Sequence, residues 1–217
     1  LDIYSAHTLN QPYYKKQDLL IVGVAADYDD AAILAGTIIA DVYKKTGGYD
    51  VNGFLEKEMT LITAQAMYEE LSLYDDIKVY MTRTEDVDMS LKERAEYAAA
   101  MEADFLYSLH YNASESHNRY GAEIWIPSQP PYHAYGYQFG TVFLEEMQDM
   151  GLFLRGIKTR LNKEKEDYYG IIRESAALSV PSAILEHCHV DQSQDELFCD
   201  ADEELIRFGK ADATAVA

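Results

Sequence analysis

The 217-residue sequence predicts an α/β fold, a single three-layer domain in which a mostly parallel, twisted sheet carries helices on both faces. Two observations point there. Short apolar runs rich in β-branched residues alternate with longer stretches whose apolar residues recur at three- and four-residue spacing. No linker rich in Pro, Gly or Ser divides the chain, and no internal repeat is visible. A length near 200 residues suits one domain with a substantial core.

Residues 1–17 are polar, Tyr-rich and without a period, which reads as a leader ahead of a domain over 18–217. DLLIVGVAA at 18–26 has the length and composition of a buried strand. The stretch 30–45 places Ile33, Leu34, Ile38, Ile39, Val42 and Tyr43 at helical spacing ahead of Gly47 and Gly48, although TIIADV by itself is also strand-like. Met59, Ile62, Ala66, Met67 and Leu71 define a helix from Glu56 to about Leu73, and IKVYMT at 77–82 reads as a strand. Ser90 with Glu93 three residues on forms a capping box for the next helix. DFLYSLH at 104–110 and AEIWIP at 122–127 read as strands, Tyr135 to Met150 as a helix, YGIIR at 169–173 as a short strand candidate, and SAILEHCHV at 182–190 as a strand. An acidic helix follows from about Ala201. In sheets of this type ligands gather beyond the carboxyl ends of the strands.

With 18 Lys and Arg against 38 Asp and Glu, the formal charge is −20. A phosphate-reading surface needs clustered bases, so nucleic acid is not an expected partner, and an anionic membrane surface is disfavoured for the same reason. No apolar run approaches the roughly 20 residues needed to span a bilayer, so the chain is expected to be soluble. The chain begins with Leu, which fits a processed N-terminus, including removal of a secretory signal, or excision from a longer protein. Cys188 and Cys199 form neither a disulfide framework nor a four-ligand zinc cluster, and burial suits Cys188 better than reactivity. There is no G-x-S-x-G elbow, P-loop or G-x-G-x-x-G.

Three residues combine metal-binding or acid-base capacity with the right topological place. Glu56 opens a helix, where an acid also suits the macrodipole. His110 ends a strand. Glu186 is the least ordinary, because a carboxylate after SAIL inside an apolar strand must be paired, metal-bound or raised in pKa.

The order Glu56-Lys57, VYMTRTEDVDMSLKERAEYA, ADFLYSLHYNA, GAEIW and VPSAILEHCHVD resembles the zinc-dependent N-acetylmuramoyl-L-alanine amidases that cut cell-wall peptidoglycan. The resemblance covers about residues 53–198. Its most specific parts are Thr82-Arg83, Asp86, Leu91 and Arg94, and the SLHYNA block; RGIK at 155–158 and IIRES at 171–175 are weaker matches. It implies a catalytic domain in which Glu56 and His110 hold zinc and Glu186 serves as general base on the attacking water. It also implies peptidoglycan or muropeptide as substrate and a secreted or cell-envelope location. The sequence departs from the family at the first zinc-ligand histidine, since it has no G-H-G-G turn, and Ala99 stands where an Asn usually follows Arg94. Asp27, Asp29, His7 or His189 could supply the third ligand. Strand alternation sends His187 to the face opposite Glu186, and both histidines also suit a structural role. Two rival readings stay open: a metal-free amidase-like module that binds muropeptide or regulates a wall enzyme, and a metallopeptidase of other specificity. The chain has 18 Tyr and one Trp, and the PPYHAYGYQFG segment at 130–140 suits either sugar and peptide contact or packing on its own helix.

Overall fold

The computed structural model describes residues 51–114 and 117–217, with side chains described from Glu56 onward. The leader, the strand expected at 18–26 and the helix or strand at 30–45 lie outside the described residues. Ten elements follow: α1 (Val51–Leu71), α2 (Leu91–Ala100), β1 (Leu106–Asn112), β2 (Ala122–Trp125), α3 (Tyr132–Asp149), β3 (Leu154–Lys158), α4 (Gly170–Ala177), β4 (Ser182–His189), α5 (Ser193–Glu196) and α6 (Asp202–Val216). The strands order as β1-β4-β2-β3. β1 pairs with β4 and β2 with β3 in parallel, whereas β2 and β4 run antiparallel, so the sheet is mixed.

Alternation along β4 separates the layers. Ala183 and Leu185 join Ile124, Phe139, Phe143, Met147 and Phe208 in the main core, under α3 and α6. Ile184, one residue away, packs on the other face with Ile171 and Ile172 of α4. Met67 and Leu71 of α1 meet Ala213 of α6 in a third cluster. Among the described residues no helix is long and apolar enough to cross a membrane.

Three elements differ from expectation. Residues 77–82 form no strand; Ile77 and Val79 instead pack on the cluster of Met67, Leu71 and Ala213, and no described strand runs beside them to complete a ladder. YGIIR is not a strand, because its isoleucines belong to α4, where Ile171, Ile172 and Ser175 turn inward. A run this short carries too little period to separate the two forms. β3 went unexpected because LRGIK is half polar; among the described residues it lies at the sheet edge, where charges are tolerated.

The α2 cap forms as expected: Glu93 N donates to Ser90 Oγ at 3.2 Å, and Ser90 N to Glu93 Oε2 at 2.7 Å. The segment leading into α2 is fastened to α1. Arg83 donates to the Lys57 carbonyl at 2.5 Å and to Thr60 Oγ1 at 3.2 Å, and Lys57 Nζ reaches Asp86 at 2.5 Å. Arg94 donates to Thr82 Oγ1 at 3.0 Å. The Thr-Arg-Asp-Arg series is therefore a clasp that holds α1 in place beside Glu56.

Candidate active site

Glu56, His110 and Glu186, far apart in sequence, converge where α1 meets the β1–β4 strand pair. His110 on β1 is the register partner of Glu186 on β4, so the two side chains share a face. Glu56 Oε1 accepts hydrogen bonds from His110 Nδ1 at 2.8 Å and from Tyr111 N at 3.1 Å. His110 Nε2 lies 3.2 Å from Ser108 Oγ. Because α1 begins at Val51, Glu56 sits in its second turn rather than opening it, out of reach of the helix N-terminal field. The macrodipole thus does not account for this acid.

The electrostatics suit proton transfer. Burial pushes the Glu186 carboxyl up to about 7; His110 opposes this, and the like charges of Glu56 and Glu123 add to it. Burial works against a charged His110, but the hydrogen bond to Glu56 and the charges of Glu186 and Glu56 outweigh it and raise its pKa above the ordinary value. A partly buried carboxylate that titrates near neutrality can take up and release a proton under ordinary conditions.

Sequence reasoning passed over Glu123, the other register partner of Glu186 across the antiparallel β2–β4 pair. Its side chain is buried and bonded to Arg155 Nε at 2.5 Å and to Lys158 Nζ, while Trp125 Nε1 donates to its other oxygen at 3.1 Å. Burial raises its pKa, and the bonds from Lys158 and Arg155 more than reverse this, leaving it low. The signal was available: an acid inside the apolar run AEIWIP raises the same question as Glu186. Lys158 also lies 5.4 Å from the Trp125 ring centre, and Tyr169 packs on that ring at 5.1 Å.

The other sequence candidates fall elsewhere. His189 is enclosed, with Nδ1 3.2 Å from the Gly121 carbonyl and its backbone N–H on Asp195 at 2.8 Å, so it is not beside Glu56 and His110. His187 lies behind the site, on the core side. Cys188 and Cys199 are free thiols, and the hydrogen bond that the Cys188 thiol makes with Cys199, together with burial, pushes the Cys188 thiol far up, which makes it inert. In the Tyr-rich segment Gly136 and Phe139 face the core while Tyr135 and Tyr137 face solvent. Asp27, Asp29 and His7 lie outside the described residues.

Two donors bound at about 2.0–2.1 Å to a tetrahedral zinc stand about 3.3 Å apart. The carboxylate and imidazole of Glu56 and His110, 2.8 Å apart, are close to that spacing and of the right chemistry, so they fit two positions of such a site. Among the described residues no third His, Cys, Asp or Glu joins them.

A family model described as N-acetylmuramoyl-L-alanine amidase matches residues 40–217. The N-acetylmuramoyl-L-alanine amidase CwlM of Bacillus licheniformis is 30% identical over 149 residues, which cover 68% of this chain and 53% of that protein. The chain thus spans about half the length of that curated relative. Among solved structures, Cwp6 from Clostridium difficile is 28% identical with a TM-score of 0.68, over 74% of this chain and 25% of that one. The catalytic domain of CwlV, an amidase from Bacillus (Paenibacillus) polymyxa var. colistinus, shares the fold with a TM-score of 0.63 at 23% identity, over 74% of this chain and 82% of that one. With residues 40–217 inside the family match, the chain belongs to the N-acetylmuramoyl-L-alanine amidase family.

Proposed function

We propose that this chain hydrolyses the amide between the lactyl group of N-acetylmuramic acid and the L-Ala of the peptidoglycan stem peptide, acting in the cell envelope. The observation that carries the reading is the convergence of Glu56, His110 and Glu186 on one face, with the Glu186 carboxyl lifted to about 7. Glu56 and His110 are assigned as zinc ligands. Bound there, zinc supplies Lewis acidity to the scissile carbonyl and to a water beside it. Glu186 removes a proton from the water as its oxygen attacks the carbonyl carbon. The same carboxyl then delivers that proton to the alanine nitrogen as the C–N bond breaks, and the remaining hydroxyl proton of the new muramoyl acid passes to the freed amine, leaving a carboxylate and a peptide ammonium. The Tyr111 amide holds the Glu56 carboxylate in place through both events.

Protein purified without chelator is expected to carry close to one equivalent of zinc. Glu186→Ala should abolish stem-peptide release from purified wall while the metal stays bound. The absence of a G-H-G-G histidine favours one second reading, a metal-poor module that binds muropeptide. Lack of metal together with retained muropeptide binding would establish it in place of the enzyme. Cleavage of unrelated peptide amides as fast as muropeptides would instead point to a metallopeptidase.

A further inference from the structure

Behind the site, on the core side of the sheet, lies a fully buried pair that the reaction above does not use. His187 Nε2 and Asp212 Oδ2 are 2.8 Å apart, with both side chains at 0% exposure. The other ring nitrogen, Nδ1, is 3.0 Å from the His110 carbonyl oxygen. A carbonyl only accepts, so Nδ1 carries a hydrogen and donates it. The peptide that follows that carbonyl presents its N–H, from Tyr111, to Glu56 Oε1 at 3.1 Å. One peptide unit is thereby gripped at both ends, by His187 on the carbonyl and by Glu56 on the amide, and the same Glu56 oxygen holds the His110 ring. The grip falls where the β1–β4 register shifts between His110 and Asn112, a point where the ladder alone defines the backbone least.

The pair is not the simplest way to fill this volume. Around the His187 ring stand Tyr111, Phe143 and Phe208, with centroids at 5.2, 5.7 and 4.9 Å, an environment that an apolar side chain would suit. Asp212 Oδ1 has no hydrogen-bond partner among the described residues, and a buried bare carboxylate oxygen costs stability.

We infer that Asp212 and His187 are positioning residues, which fix the His110–Tyr111 peptide and through it hold Glu56 and His110 in the geometry that binds metal. The inference rests on the amidase reading for what the two ligands hold, but the grip itself is a property of the metal-free protein. Outer-shell hydrogen bonds of this kind are worth about 10- to 100-fold in metal affinity. It ties the C-terminal helix, which contributes no residue to the reacting centre, to the performance of that centre.

The test is the double variant His187→Phe/Asp212→Ala, which keeps ring packing and nearly conserves volume while removing both polar partners, a change that buried pairs commonly tolerate. With its melting temperature and circular dichroism close to wild type, it should bind zinc about tenfold or more weakly in a chelator competition. In zinc-free protein, long-range proton–nitrogen spectra should show the His110 Nδ1–H signal of wild type lost or broadened. His187→Leu/Asp212→Asn removes the same donor and serves if the first variant does not fold. Unchanged zinc affinity and an unchanged His110 signal in a folded variant would overturn the inference and leave the pair a packing feature. If wild type itself takes up no zinc, the amidase reading fails, and the His110 signal alone then decides: lost in the variant, positioning stands; kept, it falls.

Discussion

Glu123 shows how one buried acid can shape the electrostatics of its neighbour. It sits beside Glu186 on the same face, and its negative charge helps to keep the Glu186 carboxyl raised, while Arg155 and Lys158 stabilise Glu123 itself. Removing the acid leaves two cations without their partner, so Glu123→Gln is expected to destabilise the fold by roughly 2–3 kcal/mol in urea unfolding at neutral pH. That value lies below the roughly 3–5 kcal/mol of fully buried pairs because Arg155 and Lys158 keep 21% and 25% of their side-chain surface in solvent. The pH dependence follows from the lowered pKa. A carboxylate with a folded pKa below its unfolded value, about 4.3 for Glu, contributes fully above that unfolded value and loses the contribution as pH falls through the folded one. The stability gap between wild type and Glu123→Gln should therefore close on acidification; a gap that stayed constant into acid would mean that the ion pairs contribute nothing. Glu186 was legible in the sequence by the same logic that fits Glu123, an acid where the pattern demands an apolar residue. Glu56 was singled out by its place in the chain and by the family resemblance rather than by this logic, since a helical acid is ordinary until its partner on another element is seen.

At the scale of elements, two contacts decide whether helices that frame the site stay in place. The Ser90–Glu93 box starts α2, and Ser90→Ala should cost about 1 kcal/mol, read as a lower melting temperature. The Ser90 hydrogen bonds lower the Glu93 pKa, so the box is complete above the ordinary glutamate range and loosens as pH falls through the lowered value; the Ser90→Ala effect should shrink in acid. In α6, a Cβ on Gly209 would stand 2.4 Å from the Thr63 carbonyl oxygen and 2.7 Å from the Ala66 Cβ, atoms of the α1 backbone and its nearest methyl. Helix propensity alone would favour alanine by about 1 kcal/mol, but backbone cannot yield as a flexible side chain can. Gly209→Ala is expected to destabilise by about 1–3 kcal/mol in denaturant unfolding, and a stabilised variant would show that α1 and α6 separate easily. The long amphipathic helices and the capping box were readable because their information is local. α4 and β3 were not, because a handful of residues takes its form from what lies alongside.

At the scale of the whole chain, a charge of −20 sets the molecule against the anionic polymers of a cell wall. Such repulsion acts within about 10 Å at moderate salt, so this chain should show weak intrinsic affinity for purified wall at low salt unless divalent cations or a basic module intervene. Co-sedimentation with wall at low and moderate salt checks this, and tight low-salt binding that salt reverses would contradict it.

Sequence alone determined the α/β class, most element boundaries, the family resemblance and the candidacy of Glu186 and His110, because periodicity, caps and an acid in an apolar run are all written within a few neighbouring residues. Only the tertiary structure decided the antiparallel β2–β4 pairing, the approach of Glu56 to His110 within 2.8 Å, the pairing of Glu123 with two cations and the buried contact from Asp212 through His187 to His110. These contacts join residues up to 77 positions apart. No local pattern encodes which strand lies beside which, and that choice is made by burial of both sheet faces at once.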